Sequence, residues 1–592
     1  MLQNITDFTR RHKYALILAG MVLVLCVIPL SVTSIYTGHD FKFHLCRISC
    51  IAENIEQGKW FSPIYYTYLD GYGYAAPLFY GDTFLHIPGL LVHWGMSLVA
   101  ALQVFIMLIT ACCAFVTYLC AKCIFRNKAA AFVTAAAYTF SSYFCVDMII
   151  RTALGELQAF VFLPVIFLGF YSIVFEDGRK WLLLPLGLAG CLVSHVLTAV
   201  LAVFFLAVFA LISIKKIMEY KKRYVYIGLS VLTFLGVSAF FTFPLIEQLL
   251  SHDFAVTNGM AATTWGKLAE RAMPAWALLY DYTQKLRPDP WIPNGVGLSV
   301  VASTVGVYYA QYKKWNPGKR TWALLIAGAA CLLATTNIFP WKLTQDLFGS
   351  LQFPWRLLTF VTFFFAVTAG FTIVKSKSAM FTAVLAIFVV GLSVFSYVSC
   401  GTDMYFNMIN KSSDDNAAPI EYQNTIGAGE YIPVFRNETS GEWVSAAAIK
   451  SRVLNRGDKV TSNTLKESDI DYNRNFDILT VNFENNGGED TYLEFPLLMY
   501  KGYYAEINGK KAEIEYGTNS IVRVYLGDNE SGEVIVRYKG TTVQTVSKIL
   551  TALSLAAIAA YLIFRKKKVP IPLRIDTPAA EEPVSVYQAP QE

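Results

Sequence analysis

A run of about twenty apolar residues has one stable fate as a single element, a helix across a bilayer, because its backbone must be satisfied internally once it leaves water. The sequence repeats that feature twelve times along 592 residues, at 14–36, 98–121, 129–146, 157–175, 181–195, 196–214, 225–246, 295–312, 321–338, 357–374, 379–398 and 543–564. Composition agrees: 16% of residues are charged and 55% hydrophobic, whereas soluble domains carry about 25% charge. Collagen, coiled coil, cytosolic enzyme and disordered chain are excluded together. The fifth and sixth runs form one apolar stretch of 34 residues, which we divide at the polar pair Ser194-His195.

The positive-inside rule supports that division. With the N-terminus in the cytoplasm, 23 of the 49 Lys and Arg fall in short inner segments, including Lys122/Arg126/Lys128, Lys215–Arg223, Lys313–Arg320 and Arg565–Lys568. Left undivided, the stretch would invert every later loop. The net charge of +6 therefore reads as membrane orientation rather than nucleic-acid binding. The first run is too long for a signal peptide and lacks a small-residue cleavage site, so it reads as a retained span. Eleven Cys, mostly inside apolar runs, do not make a disulfide scaffold.

The expected organisation is a multi-spanning domain over 1–400 with outer segments 37–97 and 247–294, an outer β-rich domain over 401–542, a last span at 543–564, and a cytoplasmic tail without regular structure over 565–592. Both termini then lie in the cytoplasm. Alternating polar and apolar residues at 477–484, 491–496, 521–526 and 533–538, separated by turn signals such as Asn508-Gly509, predict an antiparallel β-sandwich.

Almost no ionisable residue falls within a span. Carboxylates and arginines gather instead at the outer ends of the helices, which favours chemistry at the outer water–lipid boundary over passage through the bilayer. In the first outer segment, Phe41, Leu45, Ile48, Ile51 and Ile55 recur at helical spacing and predict an amphipathic helix lying at the interface. His39 and Asp40 stand at its start, with His44 and Arg47 one and two turns on. Asp40 is equally suited to capping that helix. Tyr and Trp crowd the segment as membrane-interface residues, and the same rings stack on sugars.

The order Asp40, a helix ending in Gly58-x-Trp60, then Gly71-Tyr-Gly-Tyr-Ala-Ala-Pro-Leu-Phe-Tyr80, resembles the first outer loop of the GT-C glycosyltransferase superfamily, and more narrowly that of bacterial YfhO-like membrane proteins. Arg151-Thr-Ala-Leu-Gly-Glu156, Ser194-His-Val-Leu-Thr198, Gln352-Phe-Pro-Trp-Arg356 and 495–509 extend the likeness over most of the chain. The resemblance implies a GT-C-like polytopic enzyme of the bacterial plasma membrane. It would move a sugar from a polyprenyl-phosphate-linked donor to an extracytoplasmic glycopolymer, teichoic-acid-like in that family, or to a lipid. Asp40 is the catalytic residue it implies, as proton acceptor or as ligand of a divalent cation, Mg2+ or Mn2+. Some superfamily members have a paired Asp-Glu where this chain has His39-Asp40, so a cation would need Asp82 or Glu156 as well. Arg47, Arg151 and Arg356 are the expected phosphate contacts, with His39, Glu156 and His195 as further substrate contacts. Each has a plainer alternative: Arg356 as an interfacial anchor beside Trp355, Arg151 with Glu156 as a loop-stiffening ion pair, His195 as the hairpin turn. Two other functions fit the same outer chemistry, a transporter or flippase of lipid-linked saccharides and a non-catalytic envelope scaffold.

Overall fold

The computed structural model describes residues 2–32, 38–258, 268–278, 296–409, 426–486 and 488–564. The end of the expected first span, residues 279–294 of the second outer segment, residues 410–425 of the third and the whole 565–592 tail with its basic cluster lie outside the described residues.

Six helices are long and apolar enough to cross a membrane: Asp7–Val32, Leu98–Phe125, Leu154–Phe175, Pro354–Lys375, Ala379–Gly401 and Thr542–Phe564. Two bent pairs, Lys128–Thr139 with Ser142–Ile150 and Lys221–Val237 with Ala239–Ser251, bring the number to at most eight among the described residues. The other four expected spans are helices of only 12, 17, 14 and 16 residues: Leu183–Ser194, Val196–Ile212, Ser299–Tyr312 and Lys319–Ala334. At 1.5 Å per residue these reach roughly 18–26 Å against a hydrocarbon layer of about 30 Å. Hydropathy registers apolar residues but not where a helix breaks, and that is why the sequence reads longer spans than the structure holds.

Helix Pro354–Lys375 is the axis of the membrane part. Its sequence is apolar on every side, and 94% of its apolar window is buried, against 6% for Thr542–Phe564, which presents its apolar residues outward. Helix Ala379–Ile409 runs beyond the expected boundary at 400, and the region expected as the β-rich domain adds an unexpected helix, Ala446–Arg456.

The expected interfacial helix forms as Phe41–Glu56, but it does not lie with a polar face to water. Twelve of its residues are buried, His44 and Arg47 among them. The Tyr-rich segment that follows covers its polar side and satisfies it: Asn54 Nδ2 donates to the Ile64 carbonyl at 2.9 Å, and Arg47 Nη2 donates to the Tyr80 and Gly81 carbonyls, each at 2.9 Å. Tyr65, Tyr68, Tyr72 and Tyr74 are fully buried, so most of the expected aromatic belt is core, whereas Trp60 and Phe61 remain exposed.

Among the described residues the C-terminal β-sheet region holds nine strands: β1 Thr461–Ser462, β2 Ile470–Asn475, β3 Ile478–Glu484, β4 Tyr492–Leu498, β5 Tyr503–Ile507, β6 Lys510–Ala512, β7 Ile514–Tyr516, β8 Ile521–Tyr525 and β9 Ser531–Tyr538. They form two antiparallel sheets, ordered β1-β4-β8-β7 and β2-β3-β9-β5-β6. Alternate residues of both sheets, such as Val481, Phe495, Val522 and Val536, enter one buried apolar cluster. At the β5–β6 hairpin, Asn508 and Gly509 have φ of 51° and 75°, as a type I′ turn requires.

This domain grips the first outer segment. Leu498 N–H donates to the Tyr72 carbonyl at 2.9 Å, Arg474 Nη1 donates to the Gly71 carbonyl at 2.8 Å, and the Tyr72 hydroxyl receives Arg456 Nη1 at 3.0 Å while donating to the Gly457 carbonyl. Lys59 pairs with Asp477 at 2.7 Å. Through these bonds the tyrosine loop, and the helix beneath it, are held from both sides.

Candidate functional site

Asp40 takes the N-cap position of helix Phe41–Glu56 but makes no side-chain capping bond. Its location comes from its backbone. Asp40 N–H donates to the Arg151 carbonyl at 2.8 Å, and His39 N–H donates to the Ile150 carbonyl at 3.3 Å. The close approach depends on Gly38, where a Cβ would collide with Thr152 Oγ1 and stand 3.0 Å from the Ile150 carbonyl oxygen. Thr152 has φ of 51°, an uncommon conformation for a β-branched residue. This kink follows the π-helical turn Val146–Ile150 and lets Arg151 fold back under Asp40.

Glu156 is the hub. Only 2% exposed, it accepts Arg151 Nη1 on Oε2 at 2.9 Å, Arg151 Nη2 on Oε1 at 3.0 Å, Arg356 Nε on Oε1 at 2.9 Å and the Tyr143 hydroxyl on Oε2 at 2.9 Å. Arg151 also donates to Asp147 at 2.6 Å. Two guanidiniums and two carboxylates thus share one buried site at the N-terminal end of helix Leu154–Phe175, the arrangement that makes burial of charge tolerable. Arg151 is committed to these partners. Arg356 is less so: Nη1 reaches the Leu351 carbonyl and the Gln352 side chain, while Nη2 has no acceptor among the described residues.

His195 combines turn and site. Its Nδ1 accepts Thr198 N–H at 3.3 Å at the start of helix Val196–Ile212, and its Nε2 stands 4.0 Å from Glu156 Oε1. The chain break at Ser194-His195 is where the sequence expects it.

Arg47 belongs to a neighbouring branch. Its guanidinium lies 4.4 Å over the Tyr80 ring, and its Nε meets the Tyr65 hydroxyl, which donates to Asp82 at 3.2 Å. Asp82 therefore sits with Arg47 and Tyr65, and Glu156 with Arg151 and Arg356, so neither joins Asp40 as a ligand. Among the described residues no three His, Cys, Asp or Glu side chains converge at metal-binding spacing. The expected cation set, Asp40 with Asp82 or Glu156, does not fit this arrangement. His39 is exposed beside Asp40. Cys46, Cys50, Cys120 and Cys123 are all free thiols.

Burial pushes the Asp40 carboxyl above its ordinary range; Arg151 opposes that most, Glu156 adds to it, and Arg356 opposes it. The residue as a whole is half-buried. A carboxyl made more basic by its surroundings and flanked by guanidinium charge is suited to taking a proton.

Sequence reasoning missed three members. Asp147 had a legible signal, its place four residues before Arg151. Tyr143, one turn earlier, had none. Nor did Glu430, carried by the Gly427–Gly429 turn, whose carboxyl is pushed up to about 7 by burial, its own turn's N–H groups lowering it and the Asp40 charge raising it.

Residues 72–414 match the model of a family described as bacterial membrane protein YfhO. The chain is also similar to a protein of Lactococcus lactis subsp. cremoris (strain MG1363) that bears only the description "Uncharacterized protein", with 22% identity over 357 residues. The match covers 57% of this chain and spans about half (56%) of that relative's length.

Proposed function

The chain belongs to the YfhO family of bacterial membrane proteins, and from that premise we propose that it is a GT-C-type glycosyltransferase. It moves a sugar from a polyprenyl-phosphate-linked donor to a hydroxyl of an extracytoplasmic envelope polymer or lipid. The placement of Asp40 carries this reading: a carboxyl raised by burial, beside the Glu156-bound guanidiniums at the N-terminal ends of apolar helices Leu154–Phe175 and Pro354–Lys375. The proposal includes twelve crossings of the plasma membrane, with the short and bent helices completing the count. It also includes cytoplasmic termini and a β-sandwich of the two sheets on the outer side.

In the reaction, the acceptor hydroxyl oxygen bonds to the anomeric carbon as its proton passes to Asp40. The bond from the anomeric carbon to phosphate oxygen breaks, and its electron pair stays on the polyprenyl phosphate. Arg356 offers Nη2 to that growing charge, while Arg151, held by Asp147 and Glu156, fixes the position of Asp40 through its carbonyl. The isoprenoid would lie along the apolar helices.

The test uses the full chain in lipid nanodiscs with a panel of radiolabelled polyprenyl-phosphate hexoses and N-acetylhexosamines. We expect wild type to consume one donor, and Asp40→Asn, equally well folded, to lose at least a hundredfold in rate, as is typical when a general base is removed. Unchanged transfer by Asp40→Asn removes Asp40 from the mechanism. Lipid translocation without transfer makes the protein a flippase, and neither activity leaves a scaffold.

A further inference from the structure

Around Glu156 the fold leaves hydrogen-bond donors without an acceptor among the described residues. One is Arg356 Nη2, on a guanidinium whose Nε is held by Glu156 Oε1 at 2.9 Å and whose Nη1 is held by the Leu351 carbonyl and the Gln352 side chain. Another is His195 Nε2. Its Nδ1 accepts Thr198 N–H at 3.3 Å, and an imidazole that accepts on one nitrogen carries its proton on the other. That Nε2–H stands 4.0 Å from Glu156 Oε1, beyond hydrogen-bond reach, on a residue only 9% exposed.

The Tyr80 hydroxyl joins them because two glycines let it in. A Cβ on Gly81 would collide with the Val193 carbonyl, and a Cβ on Gly155 would collide with the Tyr80 hydroxyl and stand 2.8 Å from the Ser194 carbonyl oxygen. The Tyr80-Gly81 corner therefore seats in the corner at 193–195 and brings its hydroxyl against the residue that precedes Glu156. The ring is held there by Arg47, 4.4 Å over its face, and meets the His195 ring edge-on with centroids 6.2 Å apart. Burial pushes the phenol up to about 12, so it keeps its proton as a donor. Arg151 and Arg356 are already balanced by Asp147 and Glu156. What remains is one guanidinium edge and two neutral donors, all of which an oxyanion satisfies at once, since its oxygens accept and do not donate. A single phosphate suits that set. A diphosphate brings further charge for which the set has no second free guanidinium.

Resting on the transfer reading above, we infer that Tyr80 and His195 are the neutral donors that hold, with Arg356 Nη2, the phosphate of a polyprenyl monophosphate, and that this set selects a monophosphate-linked donor over a diphosphate-linked one. As the bond from the anomeric carbon to phosphate oxygen breaks, its electron pair stays on that oxygen. Tyr80 and His195 donate to phosphate oxygens and keep their protons, while the proton of the acceptor hydroxyl goes to Asp40.

The test is equilibrium binding to the full chain in nanodiscs. A radiolabelled polyprenyl phosphate is displaced by the same lipid unlabelled, by the diphosphate of equal chain length, by the free polyprenol and by inorganic phosphate. Wild type is expected to bind the monophosphate about tenfold more tightly than the diphosphate. Displacement by inorganic phosphate as strong as by the lipid, mole for mole, overturns the assignment to a lipid phosphate. Tyr80→Phe keeps the ring under Arg47 and removes only the hydroxyl; His195→Asn keeps a side-chain oxygen to cap helix Val196–Ile212 and removes Nε2–H. Each should raise the Kd for polyprenyl phosphate about tenfold, the loss of one hydrogen bond to a charged group, with polyprenol binding and the melting temperature unchanged. Wild-type phosphate affinity in both variants overturns the inference, as does an equal loss of phosphate and polyprenol binding, which is what a packing role alone would give. If the variants melt early, wild type decides: a diphosphate bound as tightly as the monophosphate, or more tightly, overturns the inference. Consumption of a panel donor at wild-type rate and with wild-type phosphate affinity by both variants rejects these two residues and leaves transfer standing. Phosphate binding weakened as expected in the variants, with no panel donor consumed by wild type, rejects transfer and keeps the phosphate site.

Discussion

Replacing Glu156 by Gln removes one charge and little volume, so its effect isolates the electrostatics of the buried hub. The carboxylate accepts four hydrogen bonds, two from Arg151, one from Arg356 and one from Tyr143, all between 2.9 and 3.0 Å. The amide keeps one acceptor oxygen and turns an NH2 toward a guanidinium. Arg151 retains Asp147, but Arg356 loses its only carboxylate among the described residues. Removing one partner of a buried ion pair costs about 3–5 kcal/mol. Arg356 is 11% exposed and recovers part of its hydration, so the low end, about 3 kcal/mol, is expected. Asp177→Asn is the control: its pair with Arg179 is 44% and 45% exposed on the two sides, and such pairs contribute under about 1 kcal/mol. The assay is unfolding of the purified chain by SDS titration in mixed micelles, followed by tryptophan fluorescence. The Glu156→Gln/Arg356→Gln double variant should lose less than the sum of the single losses, since the second change removes a cation already stranded. Equal stabilities for Glu156→Gln and Asp177→Asn, or strict additivity in the cycle, would refute the argument that Glu156 neutralises the cluster.

Gly38→Ala drives a methyl into Thr152 Oγ1; about 1–3 kcal/mol of stability should be lost, with a fall in transfer as Asp40 shifts, and a wild-type melting temperature would show that the 38–40 segment does not dock as described. Arg474→Ala deletes donors to the Gly71 carbonyl and to Asp458, so limited proteolysis should cut the tyrosine loop faster than in wild type, and an unchanged digestion rate counts against the clamp. Gly509→Ala places a Cβ at φ of 75° in the β5–β6 turn and should cost about 1–2 kcal/mol, read by chemical denaturation. For Glu430, whose carboxyl is raised in the folded chain from 4.5 to about 7, the folded state binds more protons than the unfolded state across that window. Stability therefore falls as pH rises through it, and the slope of melting temperature with pH should be shallower in Glu430→Gln; identical slopes disprove the shift.

Much of this was legible in one dimension. Apolar runs at bilayer length call for helices, because lipid offers the backbone no partners, yet four of the twelve runs fold into helices of only 12, 17, 14 and 16 residues. Period-two alternation at 477–484 and 533–538 anticipated β3 and β9, which run Ile478–Glu484 and Ser531–Tyr538, and Asn508-Gly509 anticipated the β5–β6 turn. Strands β1, β2, β5, β6 and β7 were missed, since they are short or carry polar, half-exposed residues with little periodic signal. The break at Ser194-His195 was visible because a polar pair interrupts an apolar run too long for one span.

The helix Phe41–Glu56 shows where local reading stops. Its apolar stripe fixed the helix, yet Arg47 and Asn54 look the same in sequence whether water or a folded-over loop satisfies them, and here the carbonyls of Ile64, Tyr80 and Gly81 do so. The site is more strongly non-local. Arg151 and Glu156 are close in sequence and their pairing was readable, but Arg356 arrives from 200 residues away and Glu430 from a turn with no periodicity at all. Hydrophobic patterning determined which segments are apolar enough to enter a membrane, because transfer free energy is a property of each segment by itself. Which charges neutralise one another was decided only when packing brought distant chain segments within a few ångströms, since electrostatic pairing depends on distance in space and leaves no period in the sequence.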